Sequence, residues 1–129
     1  MAPTVIAAGE FPGEVNEHEF LQRLKDVFNL SFLRHTAFTG KPVKRVALCG
    51  GAGSFLLKRA IQSGAQVFIS ADFKYHEYFD VENKLLLIDV GHFESEQFTP
   101  EIFSEIILKK IPTFALHLSK VNTNPVNYF

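Results

Sequence analysis

Apolar residues recur at helical spacing in one early stretch: Phe20, Leu21, Leu24, Val27 and Phe28. Together they predict a helix with a single apolar face, running through Leu30. Asn16 stands where its N-cap should be, and Glu17 and Glu19 follow near the positive end of the helix dipole. Upstream, residues 1–15 combine Gly, Pro and alternating apolar positions without helical period. They read as a linker or tail from a preceding segment, with one short strand around Thr4 to Ala8. Residues 16–129 then form the α/β body. The segment Ser31 to Thr36 is suited to a strand, and Gly40-Lys41-Pro42 marks a turn.

From Val43 onward the pattern alternates between strand and helix. Val43 to Cys49 predicts a strand that ends in Gly50-Gly51-Ala52-Gly53-Ser54. A helix from about Phe55 to Ser63 follows, with Gly64 as its C-terminal cap. Val67 to Ser70 is a second strand, and the polar aromatic segment Asp72 to Asp80 carries the chain away from it. Leu85 to Val90 is apolar on both faces, as a buried parallel strand should be. A helix from Glu94 or Pro100 to Lys109 and a last strand from Thr113 to Leu118 complete the series. Alternation of this kind predicts an α/β fold: a mixed, largely parallel sheet with flanking helices in two or three layers.

Composition narrows the function classes. The 129 residues carry 13 basic and 14 acidic side chains, so no global field draws the chain to nucleic acid or to an anionic membrane. A single cysteine, Cys49, excludes an intramolecular disulfide framework and a multi-cysteine zinc module. No apolar run approaches the ~20 residues a spanning helix needs. The expectation is a soluble protein of a reducing, cytoplasmic compartment. Fourteen phenylalanines without one tryptophan is a heavy apolar load, expected in a core or a protein interface.

Ligands on parallel sheets sit beyond the carboxyl ends of the strands. Three such ends carry Cys49-Gly50-Gly51, Ser70-Ala71-Asp72 and Asp89-Val90-Gly91-His92. In Gly91-His92-Phe93-Glu94-Ser95-Glu96, His92 and Glu96 are four apart, so a helix there would put an imidazole and a carboxylate on one face. Such a pair can share a divalent metal, or simply close a strand end and favour a helix N-terminus. The turn CGGAGS offers close backbone approach to a phosphate, or tight strand-to-helix packing. It lacks the Gly-Lys-Ser/Thr of a Walker loop. Cys49 reads as a structural thiol. His76, within Asp72 to Asp80, could shuttle protons, touch substrate, or sit on a solvated helical turn. His18, His35 and His117 read as surface or hydrogen-bonded core residues.

VKRVALCGGAGSFLLKRAIQSGAQVFISADFKYHEYFD, LLIDVGHFESEQFT and VNTNPVNYF occur here in that order. They resemble the carboxyl-terminal half of the GTP cyclohydrolase 1 type 2 homologue family, the NIF-three-like dinuclear-metal proteins. EFLQRLKDVFNLSFLRHTAFTGKPVKRVA extends the likeness to residues 9–129. The resemblance implies that His92 and Glu96 of GHxxxE ligate metal and that His76 of KYHE lines the site. The turn holding Gly50, Gly51 and Gly53 is a family hallmark, and the close backbone approach its glycines allow makes it the expected substrate-binding turn. Family members are longer, and their amino-terminal half supplies paired histidines and an aspartate to the same two metals. No adjacent histidines occur in this chain. The resemblance therefore implies one half of a metal-dependent hydrolase-like protein, holding part of a site for Zn, Mn, Fe or Mg. Alone, this half is expected to bind metal weakly or not at all and to be inactive. A ring-shaped homo-oligomer and a nucleotide-like ligand are the implied partners. The alternative is a non-catalytic module with a structural metal and a protein partner.

Overall fold

The computed structural model describes residues 6–129. Five strands form one sheet: β1 (Ala7–Val15), β2 (Arg34–His35), β3 (Val43–Ala52), β4 (Val67–Ala71) and β5 (Leu86–Asp89). Their spatial order is β1-β3-β4-β5-β2. The three central strands run parallel, and β1 and β2 pair antiparallel at the two edges. Because β3, β4 and β5 share a direction, Ala52, Ala71 and Asp89 finish on the same rim of the sheet.

Alternation along the central strands divides the apolar residues between two faces. Val67, Ile69, Leu86 and Ile88 pack with Phe20, Leu21 and Leu24 of α1 (Glu17–Phe28). Phe68, Leu85 and Leu87 pack on the other side with Leu57 and Ala60 of α2 (Leu57–Gln62) and with Phe73 and Val81. The result is three layers, with β4 and β5 buried along their whole length. Helix α1 begins as its sequence suggests: the Asn16 side chain accepts from the Glu19 N–H at 2.8 Å. Glu17, also buried, accepts from Thr39 N, Thr39 Oγ1 and Gly40 N at 2.7–3.0 Å, fixing the chain that leads into β3.

Two elements differ from the sequence expectation. Residues 7–15 are not a linker but the edge strand β1, held by pairing with β3 from Ala7↔Leu48 to Val15↔Val43. Thr4, where a short strand was expected to begin, lies outside the described residues. The segment Thr113 to Leu118 alternates but is not a strand; among the described residues no strand pairs with it. Alternation marks an extended segment, and only a partner's hydrogen bonds make it a strand. The polar aromatic segment forms a 3-10 helix, Tyr75–Val81, between β4 and β5.

The chain divides into two compact units, one ending at Ser95 and one running Glu96–Phe129. The second contains α4 (Thr99–Lys110), with Pro100 in its first turn and Lys109 and Lys110 in its last. No residue of α4 is buried; Ile102, Phe103 and Ile106 are all exposed. Few of the phenylalanines are core residues. Phe20, Phe68 and Phe73 are buried, whereas Phe32, Phe38, Phe55, Phe79, Phe98, Phe103, Phe114 and Phe129 are exposed.

Candidate functional site

At the carboxyl rim, β5 ends in Asp89 and Gly91 turns the chain into α3 (His92–Glu96). Gly91 is needed for its backbone, whose φ is +91°; a Cβ there would meet only the mobile end of the Glu94 side chain. His92, the first residue of α3, is half-exposed. Its Nδ1 lies 2.5 Å from Oδ2 of Asp72, the residue that follows β4. Asp72 holds a left-handed backbone, φ +58°, a conformation that costs most residues about 1–2 kcal/mol and that Asp and Asn tolerate best. Glu96 ends α3 and is exposed.

The glycine turn is tied to the same rim. Gly51 N donates to Ser95 Oγ at 2.8 Å, and Ser95 Oγ donates to His92 O at 2.8 Å. Ser70 Oγ, fully buried, donates to Gly51 O at 3.0 Å. The N–H of Gly51 is thus engaged within the protein, and Gly53 is packed against Ser70 and Cys49. Gly50 and Ala52 are the exposed members of the turn. The following helix, α2, has six residues. His76 is exposed in the 3-10 helix, its ring edge-to-face with Tyr75 at 5.4 Å.

Beside these lies a cluster that the sequence reading passed over. Asp89 is buried, and its carboxylate accepts from Arg34 Nη2 at 2.6 Å, Gly91 N at 3.0 Å, Phe73 N at 3.2 Å and Tyr78 OH at 3.5 Å. The Arg34 guanidinium also lies 5.7 Å from the Tyr78 ring centroid. Arg34 and Tyr78 line a cleft of about 580 Å³ with Tyr75, Phe79 and Asn83. A signal was present: an aspartate closing a strand apolar on both faces must be paired. Its partner lies 55 residues away and meets it only through the β2–β5 register, in which Arg34 opposes Asp89.

Burial pushes the Tyr78 phenol up to about 12, with Asp89 adding to the rise and Arg34 opposing it. Between the ordinary value of 10.0 and about 12 the unfolded chain therefore binds fewer protons than the folded one. The stability this group contributes is complete below the lower value and falls as pH rises toward the upper. A spectrophotometric titration of the folded chain should show a late phenol step, and Tyr78→Phe should abolish it. A titration that the substitution leaves without loss of a late step would contradict the burial of Tyr78.

A metal-binding histidine commonly gives its other ring N–H to a carboxylate, as His92 does to Asp72. Among the described residues, however, no group of three or more His, Cys, Asp or Glu side chains is placed to hold an ion. Likewise, no helix among the described residues is long and apolar enough to cross a membrane.

Known proteins resemble the chain over nearly its whole length. Residues 4–125 match the Duf34/NIF3 (NGG1p interacting factor 3) family. A Campylobacter jejuni protein named GTP cyclohydrolase 1 type 2 homolog is 37% identical over 108 residues, covering 82% of this chain and 42% of that protein. A Staphylococcus epidermidis protein of the same name is 29% identical over 124 residues, covering 90% of this chain and 34% of that one. The chain therefore spans about two-fifths or less of the length of these relatives. A Staphylococcus aureus crystal structure superposes with a TM-score of 0.81 at 23% identity, over 97% of this chain and 42% of that one. A Bacillus cereus protein related to NIF3 gives 0.77 at 24%, over 95% and 35%. At such identities the structural likeness shows the fold, and it agrees with the α/β architecture described above. The match along residues 4–125, together with the rim motifs GHFESE and CGGAGS, places the chain in the Duf34/NIF3 family.

Proposed function

We propose that this chain contributes part of a divalent-metal site to a metal-dependent hydrolase-like protein. His92 and Glu96 are the ligands, and the remaining donors come from outside the described residues. The observation that carries this is the half-exposed His92 imidazole at the carboxyl rim, with a carboxylate on its Nδ1. A Zn, Mn, Fe or Mg ion there would supply Lewis acidity toward a ligand oxygen. The chain's own residues do the rest. His76, exposed beside Tyr75, carries protons to and from solvent. Gly50, the exposed glycine of the turn, permits close backbone approach by substrate, while Gly51 and Gly53 hold the turn in place. The names of the relatives favour a nucleotide-like substrate for the whole protein.

A second proposal has support from a separate observation. The exposed apolar residues of α4 suit a protein contact, either with further copies in a ring or with another protein, around a metal that is structural.

The test is elemental analysis after dialysis against limiting zinc or manganese. This half alone should retain little metal; in a longer chain that supplies the remaining donors the wild type should retain metal, and His92→Ala at least about tenfold less, as loss of one of a few ligands requires. Equal metal in both would remove His92 from the site. In a longer chain that holds metal, His92→Ala that abolishes nucleotide turnover supports the hydrolase. A loss of assembly alone supports the structural metal.

A further inference from the structure

We propose that the cleft between β2 and the 3-10 helix binds a small molecule that joins a planar aromatic ring to an anionic group, a carboxylate or a phosphate. The ring lies against Tyr75 and Phe79, and the anion meets Arg34. None of the metal-site residues takes part, so the proposal stands apart from the metal reading.

The walls of the cleft argue for the ring. Its volume, about 580 Å³, falls in the range of sites that enclose small molecules. Val81, which is buried, joins the lining to the core. Tyr75 and Phe79 are 72% and 63% exposed, and their rings meet edge-to-face at 5.3 Å. Two large rings from one short helix are thus presented to water beside a concave surface. A third ring, offset or edge-on to either, gains both the burial and the ring contact.

The cation argues for the anion. Arg34 lines the same cleft and is 62% exposed, yet it is held in place. Its Nη2 donates to Asp89 at 2.6 Å, and its guanidinium carbon lies 5.7 Å from the Tyr78 ring centroid. A guanidinium has five N–H donors in a rigid fork, and among the described residues Asp89 takes its one hydrogen bond. Asp89 also accepts from Gly91 N, Phe73 N and Tyr78 OH, so its charge is shared among three further donors. The acid in the lining, Glu82, has Lys84 Nζ 3.6 Å from its carboxylate. A fixed, planar cation loses little freedom when it takes a second carboxylate or a phosphate through its open edge. An apolar cleft alone would take any apolar body; Arg34 at its edge selects an anion.

Three probes separate these elements: 2-naphthoate, its neutral amide 2-naphthamide, and cyclohexanecarboxylate, which has the charge without the planar ring. Each is titrated into the nitrogen-labelled chain, and amide shifts are followed by NMR. Thr36, Ala37, Tyr75, Phe79 and Asn83 should shift with naphthoate. Naphthoate should bind about tenfold tighter than naphthamide, as one charge-assisted hydrogen bond warrants. Cyclohexanecarboxylate should bind at least about threefold more weakly than naphthoate. Arg34→Met, which keeps an apolar stem, should erase the preference for naphthoate and leave naphthamide unaffected. Phe79→Ala, at an exposed position, should weaken both naphthalenes by about threefold or more. Should Arg34→Met fail to fold, the wild-type preference and Phe79→Ala decide alone. Equal affinity for naphthoate and naphthamide, no saturable binding at millimolar probe, or shifts centred outside the cleft would overturn the proposal.

Discussion

Asp89→Ala should cost the fold about 3–5 kcal/mol, because it takes a buried carboxylate from several donors and each buried donor left unpaired costs about 1–3 kcal/mol. The carboxylate is 3% exposed and serves four donors, from β2, from the connection between β4 and β5, and from the turn after β5. Its removal strands the Phe73 N–H in the interior, where an unpaired donor costs about 1–3 kcal/mol. It also frees the Gly91 N–H at the turn that launches α3, so the site is expected to loosen along with the fold. Asp89→Asn keeps two acceptor lone pairs and should cost less. Arg34→Ala should cost least of the three, because the guanidinium is 62% exposed and water replaces much of what the arginine does. Urea unfolding of the three variants gives the order. An Asp89→Ala chain within about 1 kcal/mol of wild type would mean that the carboxylate's desolvation cancels its hydrogen bonds, the outcome known for some buried pairs.

The contrast between Asp89 and His92 shows which features of the site could be read in advance. His92 announces itself locally: a glycine breaks an apolar strand, and histidine and glutamate follow at one-turn spacing. The local features of the layers were visible for the same reason. The α1 cap, the apolar run of β5 and the glycine after α2 each depend on a few adjacent residues. Asp89, Asp72 and β1 depend on distant chain instead. The acid at 89 is paired because a two-residue strand, β2, docks beside β5. The acid at 72 meets His92 because β4 and β5 are parallel neighbours. The segment Ala7–Val15 contains Pro12 and two glycines, poor strand formers, and β3 makes it a strand by supplying hydrogen bonds along an edge where proline is tolerated. Register and strand order carry this information, and neither is a property of any short window.

Gly53→Ala should destabilise by about 3 kcal/mol, the upper end of the usual cost of overpacking, and that result would decide what the glycine turn is for. The backbone of Gly53 is at φ −126°, ψ 15°, which alanine can adopt, so the whole penalty is steric. A Cβ there would overlap Ser70 Oγ and stand 3.0 Å from Cys49 Cβ, with neither side chain long enough to swing away. Gly51 differs: at φ +66° its demand is conformational, and Gly51→Ala should cost about 1–2 kcal/mol through the backbone. Combining Gly53→Ala with Ser70→Ala removes the worst overlap while leaving the contact with Cys49 and depriving Gly51 O of its donor. The double variant should therefore be more stable than the two single effects predict by at least about 1 kcal/mol, a coupling that only direct contact produces. Were Gly53 present solely to let a ligand approach, Gly53→Ala would unfold within about 0.5 kcal/mol of wild type and impair binding alone. Thermal and urea unfolding of the four chains in that cycle separates the two cases without a ligand in hand. Packing at Gly53 and hydrogen bonding at Gly51 then leave Gly50 and Ala52 as the exposed positions of the turn.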